Sequence, residues 1–86
     1  MHINQLIEIV KKKIQNNIIL ENIVIEDKTF LHKSHKSHTE GKYHLKIYIR
    51  SKELKKKNKI ESNKIIFKIL DKELENYIHS IQLIIN

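Results

Sequence analysis

From Tyr43 to Arg50 the chain alternates without a break: Tyr43, Leu45, Ile47 and Ile49 are separated by His44, Lys46, Tyr48 and Arg50. A period of two fits an extended strand with one face on a core and the other toward solvent. A half-buried strand needs neighbours, and two other segments qualify. Ile23-Val24-Ile25 is β-branched throughout, as strands prefer. In Ile78–Ile85, Ile81, Leu83 and Ile85 alternate with Ser80, Gln82 and Ile84.

The remaining apolar residues follow a helical period. Ile3, Leu6, Ile7, Val10 and Ile14 fall three and four apart and make one helix face, which Asn16-Asn17 closes. Ser51–Lys55 reads as a short helical turn. Asn63, or Ser62 before it, can cap a further helix. On that helix Ile66, Leu70, Leu74 and Ile78 mark a buried stripe, with Ile69 and Tyr77 at its edge. The predicted order is helix, strand, strand, short helix, helix, strand. That is an α+β layer, a three-stranded sheet with helices packed on it, formed by one domain over residues 1–86. A domain of this size buries only roughly 60 % of its unfolded surface, so its stability margin is narrow.

Between the first two strands lies Asp27–His44, DKTFLHKSHKSHTEGKYH. It holds four of the six histidines, His32, His35, His38 and His44, and Gly41, the only glycine. A connection this long in a short domain is unusual without a role. The flanking strands are expected to pair antiparallel and make it a long hairpin tip. Imidazole titrates near neutral pH and is a common metal ligand. The blander alternative is a solvated loop whose histidines do nothing.

Composition narrows the chemistry. There is no cysteine, so the chain offers no disulfide, no CxxC zinc site and no thiolate nucleophile. It can give a metal only imidazole, carboxylate or amide oxygen, and a soft metal must find its thiolates elsewhere. No G-x-S-x-G nucleophile motif and no phosphate-binding glycine loop is present. Glu26 and Asp27 are adjacent in a strand and point to opposite faces, so they cannot pair as acid and base. No enzyme activity is expected. No apolar run approaches the roughly 20 residues of a membrane span, and MHINQLIEIV lacks the layout of a signal peptide. The formal charge is +7, with local runs at Lys11–Lys13 and Lys55–Lys57. Such an excess attracts nucleic acid or an acidic protein face, but plain solvation explains it as well.

Taken in order, several short motifs resemble the BolA family. IEDKT is similar to its acidic strand exit, and His32, three residues after Thr29, to the histidine that follows. His35 fits the second histidine of an H-x-x-H loop, and His44 fits the histidine that opens the second strand. Ser51 and Leu54 fit S-x-x-F, and Asn63–Phe67 fits H-R-x-V-Y. Leu70, Glu73 and Leu74 fit L-x-x-E-L, and Ile78–Ile81 fits V-H-A-L. The resemblance runs from about His2 to Ile85. This sequence departs from the family at Asn63, which replaces a histidine, and at Lys55-Lys56, which replace a glycine.

The resemblance implies a fold similar to the class II K-homology fold, in a chain that is a monomer when alone. It implies partnership with a monothiol glutaredoxin and handling of a [2Fe–2S] cluster. In a shared cluster the glutaredoxin side supplies a cysteine thiolate and glutathione. This side supplies a loop histidine, His32 by position with His35 and His44 as alternatives, together with His79. The cysteine-free loop is most similar to the histidine-bearing members. Cytoplasm and mitochondrion are both open.

Elementary chemistry agrees with such a division. Iron–sulfur clusters rest chiefly on thiolates, so a chain without cysteine cannot hold one alone but can complete one. Two other readings stand beside it. A basic chain on a K-homology-like fold points to nucleic acid, with Lys55, Lys56, Lys57, Lys59 and Lys64 as contacts. Against this, the G-x-x-G backbone clamp is missing and aromatic residues for stacking are few. The spacing His32-x-x-His35-x-x-His38 permits a standalone zinc or copper site. For His79, the structural alternative is a residue hydrogen-bonded at the start of the last strand.

Overall fold

A computed structural model of the chain describes residues 1–29 and 42–86. The element order is α1 (Ile3–Asn17), β1 (Asn22–Asp27), β2 (Tyr43–Arg50), α2 (Lys52–Lys55), α3 (Lys59–Ile69), α4 (Asp71–Asn76) and β3 (Ile78–Ile85). His32, His35 and His38, and with them the proposed zinc or copper spacing, lie outside the described residues.

The alternating strand sits in the middle of the sheet, whose order is β1-β2-β3. β1 pairs with β2 antiparallel from Asn22↔Arg50 to Asp27↔Leu45, as expected for strands joined by a hairpin connection. β3 pairs with β2 in parallel. A parallel neighbour needs a crossover, and α2 to α4 supply it.

One face of the sheet meets the helices. Leu45, Ile47 and Ile49 of β2 join Ile23 and Ile78 in a core closed by Leu6, Val10 and Ile14 of α1 and by Ile66 and Leu70. All of these are at most 7 % exposed. α1 buries Leu6, Val10 and Ile14, four apart on one stripe, and His2 caps its start by accepting the Asn4 N–H at Nδ1, 3.1 Å away. None of the described helices is long and apolar enough to cross a membrane.

Two buried serines fasten the crossover. Ser51 caps α2, accepts the Leu54 N–H and donates its own hydroxyl to the Ile19 carbonyl at 2.8 Å. The Ser62 hydroxyl donates to the Leu54 carbonyl at 2.9 Å. Both serines are at most 1 % exposed, so these bonds replace water that cannot reach them.

The helix start expected at Ser62 or Asn63 is corrected. α3 begins at Lys59, because Asn58 accepts the Glu61 N–H at 2.8 Å and so fills the cap. Asn58 with Glu61 has the spacing of a capping box, and the Ser62 hydroxyl is already committed to Leu54. The stripe from Ile66 to Ile78 is not one helix either. Leu70 leaves helical geometry at φ −100°, ψ 19°, and α4 follows as a separate element. The break turns Glu73 inward, where its carboxylate meets Lys13 of α1 at 2.8 Å. Glu73 is 7 % exposed, so the pair ties α4 to α1 in partly desolvated surroundings.

Candidate metal centre

The register between β2 and β3 slips once. Tyr43 partners Ile78, whereas His44 partners Ser80, so His79 is the extra residue of a bulge. This irregularity sets the site. It brings two residues of β3, His79 and Ser80, against the single residue His44 of β2. The His44 and His79 rings lie 4.9 Å apart between centroids and are tilted by 60°. The Ser80 hydroxyl lies 2.6 Å from His44 Nδ1.

The two imidazoles differ in access. His44 is 5 % exposed although its position alternates with the core residues of β2. His79 is exposed. The contact with Ser80 engages Nδ1 of His44, and fixing one ring nitrogen is the usual way a second residue sets a histidine's tautomer. His79 has both access and a neighbour.

The acidic strand exit holds the other side of His44. The Asp27 carboxylate accepts from the Thr29 N–H at 3.0 Å and from the Thr29 hydroxyl. Thr29 Oγ1 in turn accepts the His44 N–H at 3.1 Å, and the Lys28 N–H donates to the His44 carbonyl at 2.7 Å. Asp27, Thr29 and His44 are thus linked in series, and the backbone of His44 is fixed where the connection leaves β1 and enters β2. Two residues further along β2, Lys46 stands with its ammonium 5.0 Å from the centre of the Tyr48 ring. Its pKa is raised, chiefly by the hydrogen bond to Tyr48; desolvation opposes the shift, and the charges of Tyr48 and Glu26 add to it.

Of the four histidines expected as ligands, the structure therefore brings His44 and His79 together, while His32 and His35 lie outside the described residues. No group of three or more histidine, cysteine, aspartate or glutamate side chains comes together among the described residues. Two imidazoles do not fill the coordination sphere of a metal ion. Ser80, Thr29 and Asp27 are supporting residues that the pattern of the sequence did not single out. Their roles depend on the bulge and on the β1–β2 register.

The lysines expected at a nucleic-acid surface separate. Lys55, Lys57 and Lys59 border one cavity between α2, α3 and β3, whereas Lys56 and Lys64 are exposed and do not line it.

The chain is a small α+β domain with a mixed three-stranded sheet and a histidine pair at the bulge of an edge strand. The family model for BolA-like proteins matches residues 14–85, and the chain belongs to that family. The fold is similar to that of BolA1 from Arabidopsis thaliana, with a TM-score of 0.77, 23 % identity, and coverage of 92 % of this chain and 87 % of that one. It is also similar to the BolA domain of SufE1 from Arabidopsis thaliana, with a TM-score of 0.77, 19 % identity and coverage of 92 % and 87 %. A bol-like protein from Babesia bovis gives a TM-score of 0.70, with 13 % identity and coverage of 91 % and 79 %. No curated protein matches the sequence.

Proposed function

We propose that this chain is a binding partner, not a catalyst, and that it completes a [2Fe–2S] cluster whose thiolates come from a monothiol glutaredoxin and glutathione. The observation that carries the reading is an exposed imidazole, His79, set by a bulge beside a second, buried imidazole in a chain without cysteine. His79 is the first ligand. The second imidazole comes from the connection, His32 or His35, or from His44.

Cluster iron accepts imidazole in place of thiolate, and two such neutral ligands on one iron raise its reduction potential. The chain's own residues do the positioning. The bulge presents His79, Ser80 engages Nδ1 of His44, and Asp27 with Thr29 fixes the backbone where the connection re-enters the sheet. Imidazole must be neutral to bind a metal, so acidification below the imidazole range weakens the complex. Cluster assembly, trafficking and iron regulation are all compatible with such a partner, which acts as a monomer until it meets the glutaredoxin.

The test is reconstitution of a monothiol glutaredoxin with iron, sulfide and glutathione, with and without this protein. The reading requires a one-to-one complex in gel filtration and a visible circular dichroism spectrum that differs from that of the glutaredoxin alone. An unchanged spectrum without co-elution would refute it.

A further inference from the structure

β3 is an edge of the sheet. The order β1-β2-β3 gives it one neighbour, β2. Asn86 fixes which way the strand is turned: its N–H donates to the Ile49 carbonyl at 2.8 Å, and its carbonyl accepts the Ser51 N–H at 3.1 Å. Successive residues of an extended strand turn their amides to opposite edges. Gln82 and Ile84 therefore face β2 as Asn86 does, and Ile81, Leu83 and Ile85 present N–H and carbonyl outward. No backbone hydrogen bond to those outward groups is found among the described residues. Proteins blunt such an edge with charge or proline. The opposite edge strand, β1, carries Glu26 and Asp27. From Ile78 to Asn86 there is no lysine, arginine, aspartate, glutamate or proline, in a chain where 31 % of residues are charged. The edge is left suited to pairing.

A groove runs beside this edge. A cavity of about 340 Å³ lies between the end of β3 and α3, with Leu54, Leu83 and Ile85 as its apolar part. The charged residues that line it among the described residues are all lysines, Lys55, Lys57 and Lys59. All three are exposed, and none is in an ion pair among the described residues. Phe67 stands one helical turn beyond Asn63 on the same face of α3, is 38 % exposed, and continues the apolar side of the groove along the helix.

We infer that this groove takes an extended acidic segment of a partner protein, which adds to β3 as a fourth strand. Main-chain hydrogen bonds to Ile81, Leu83 and Ile85 hold the segment. Its inner side chains pack against Leu83 and Phe67, and its carboxylates meet the lysines at the far end of the strand. The open edge specifies the occupant, because outward N–H and carbonyl groups at strand spacing match the backbone of an extended peptide. The lysines specify the sign of its charge. The groove uses neither histidine of the pair and needs no glutaredoxin, so it is tested apart from the cluster reading.

The probe is the end-capped peptide Val-Thr-Val-Thr-Val-Glu-Glu, titrated into the whole 15N-labelled chain without iron or glutaredoxin. Saturable amide shifts are expected along 81–85 and in the 55–59 turn. Amide hydrogen exchange should slow at Ile81, Leu83 and Ile85 and stay unchanged at Gln82 and Ile84, an alternation that side-chain contact alone does not produce. N-methylation of the valine and threonine amides of the peptide should abolish binding. Replacing its two glutamates by lysine should weaken binding roughly tenfold, and Lys57→Glu should weaken the acidic peptide several-fold with the spectrum otherwise native. The inference is overturned by no binding, by binding that survives N-methylation, by equal affinity for the lysine peptide, by unchanged affinity in Lys57→Glu, or by protection that does not alternate. Alternating protection that grows with protein concentration alone would overturn it in favour of a second copy. Binding of oligothymidylate at these residues, with none of the peptide, would overturn it in favour of nucleic acid.

Discussion

His44 and His79 face each other across a bulge, with ring centroids 4.9 Å apart, one ring buried and the other open to solvent. The asymmetry assigns them different tasks. A ligand must be reached, so the proposed cluster role falls to His79. A buried ring held at Nδ1 by Ser80 also has structural work to do.

His79→Ala should therefore separate function from stability. The side chain is exposed, so the expected change in unfolding free energy is within about 0.5 kcal/mol. The visible spectrum of the reconstituted glutaredoxin complex should nonetheless be lost or altered. Thermal unfolding and circular dichroism on the same preparation check both halves.

His44→Ala should behave in the opposite proportion. It removes a buried ring, at an expected cost of about 1–3 kcal/mol, while the exposed Ser80 hydroxyl turns to water. Ser80→Ala removes the contact at Nδ1 of His44 and should cost less, about 0.5–1.5 kcal/mol. Urea unfolding of the two variants tests the ranking; a larger loss in Ser80→Ala would contradict it.

The strand exit gives a third expectation. Thr29 Oγ1 takes a hydrogen bond from His44 and gives one to Asp27. Thr29→Val keeps the shape and removes both, so it should destabilise by about 1–2 kcal/mol and shift the amide resonance of His44. A native His44 resonance in Thr29→Val would show that the series does not position the strand.

The Lys13–Glu73 pair gives a fourth. Lys13→Ala leaves the Glu73 carboxylate, 7 % exposed, without its cation. Because the Lys13 side chain is itself about a third exposed, water screens the pair, and a loss of about 1–2 kcal/mol is expected, below the value for a fully buried pair. Glu73→Gln, which keeps a hydrogen-bonding group and removes the charge, should cost less. Equal losses would show that charge is not what matters there.

The sheet was legible because β2 alternates strictly and β3 repeats the pattern; a period of two fits little besides a half-buried strand. α1 was legible for the same reason at the helical period. The start of α3 was missed because Ser62 and Asn63 are both good caps by residue type. The choice went to Asn58 through its bond to Glu61, a capping-box signal that the largely polar 51–62 stretch obscured. The break at Leu70 had no signal in the apolar stripe, since Ile66, Leu70 and Leu74 are spaced as if one helix continued. At the site, sequence singled out His44 and His79 separately. Their contact depends on a one-residue slip in a parallel ladder, and register between segments about 30 residues apart is not written in local pattern. The cavity beside Asn63 was invisible for the same reason: its walls come from α2, α3 and β3.

The most direct test of the central claim is nitrogen hyperfine spectroscopy on the reduced, reconstituted glutaredoxin complex. Ligation by His79 predicts 14N couplings of imidazole bound to the cluster iron in the native complex, and the loss of one such coupling in His79→Ala. Nitrogen couplings that persist unchanged in His79→Ala, or their absence from the native complex, would contradict the account.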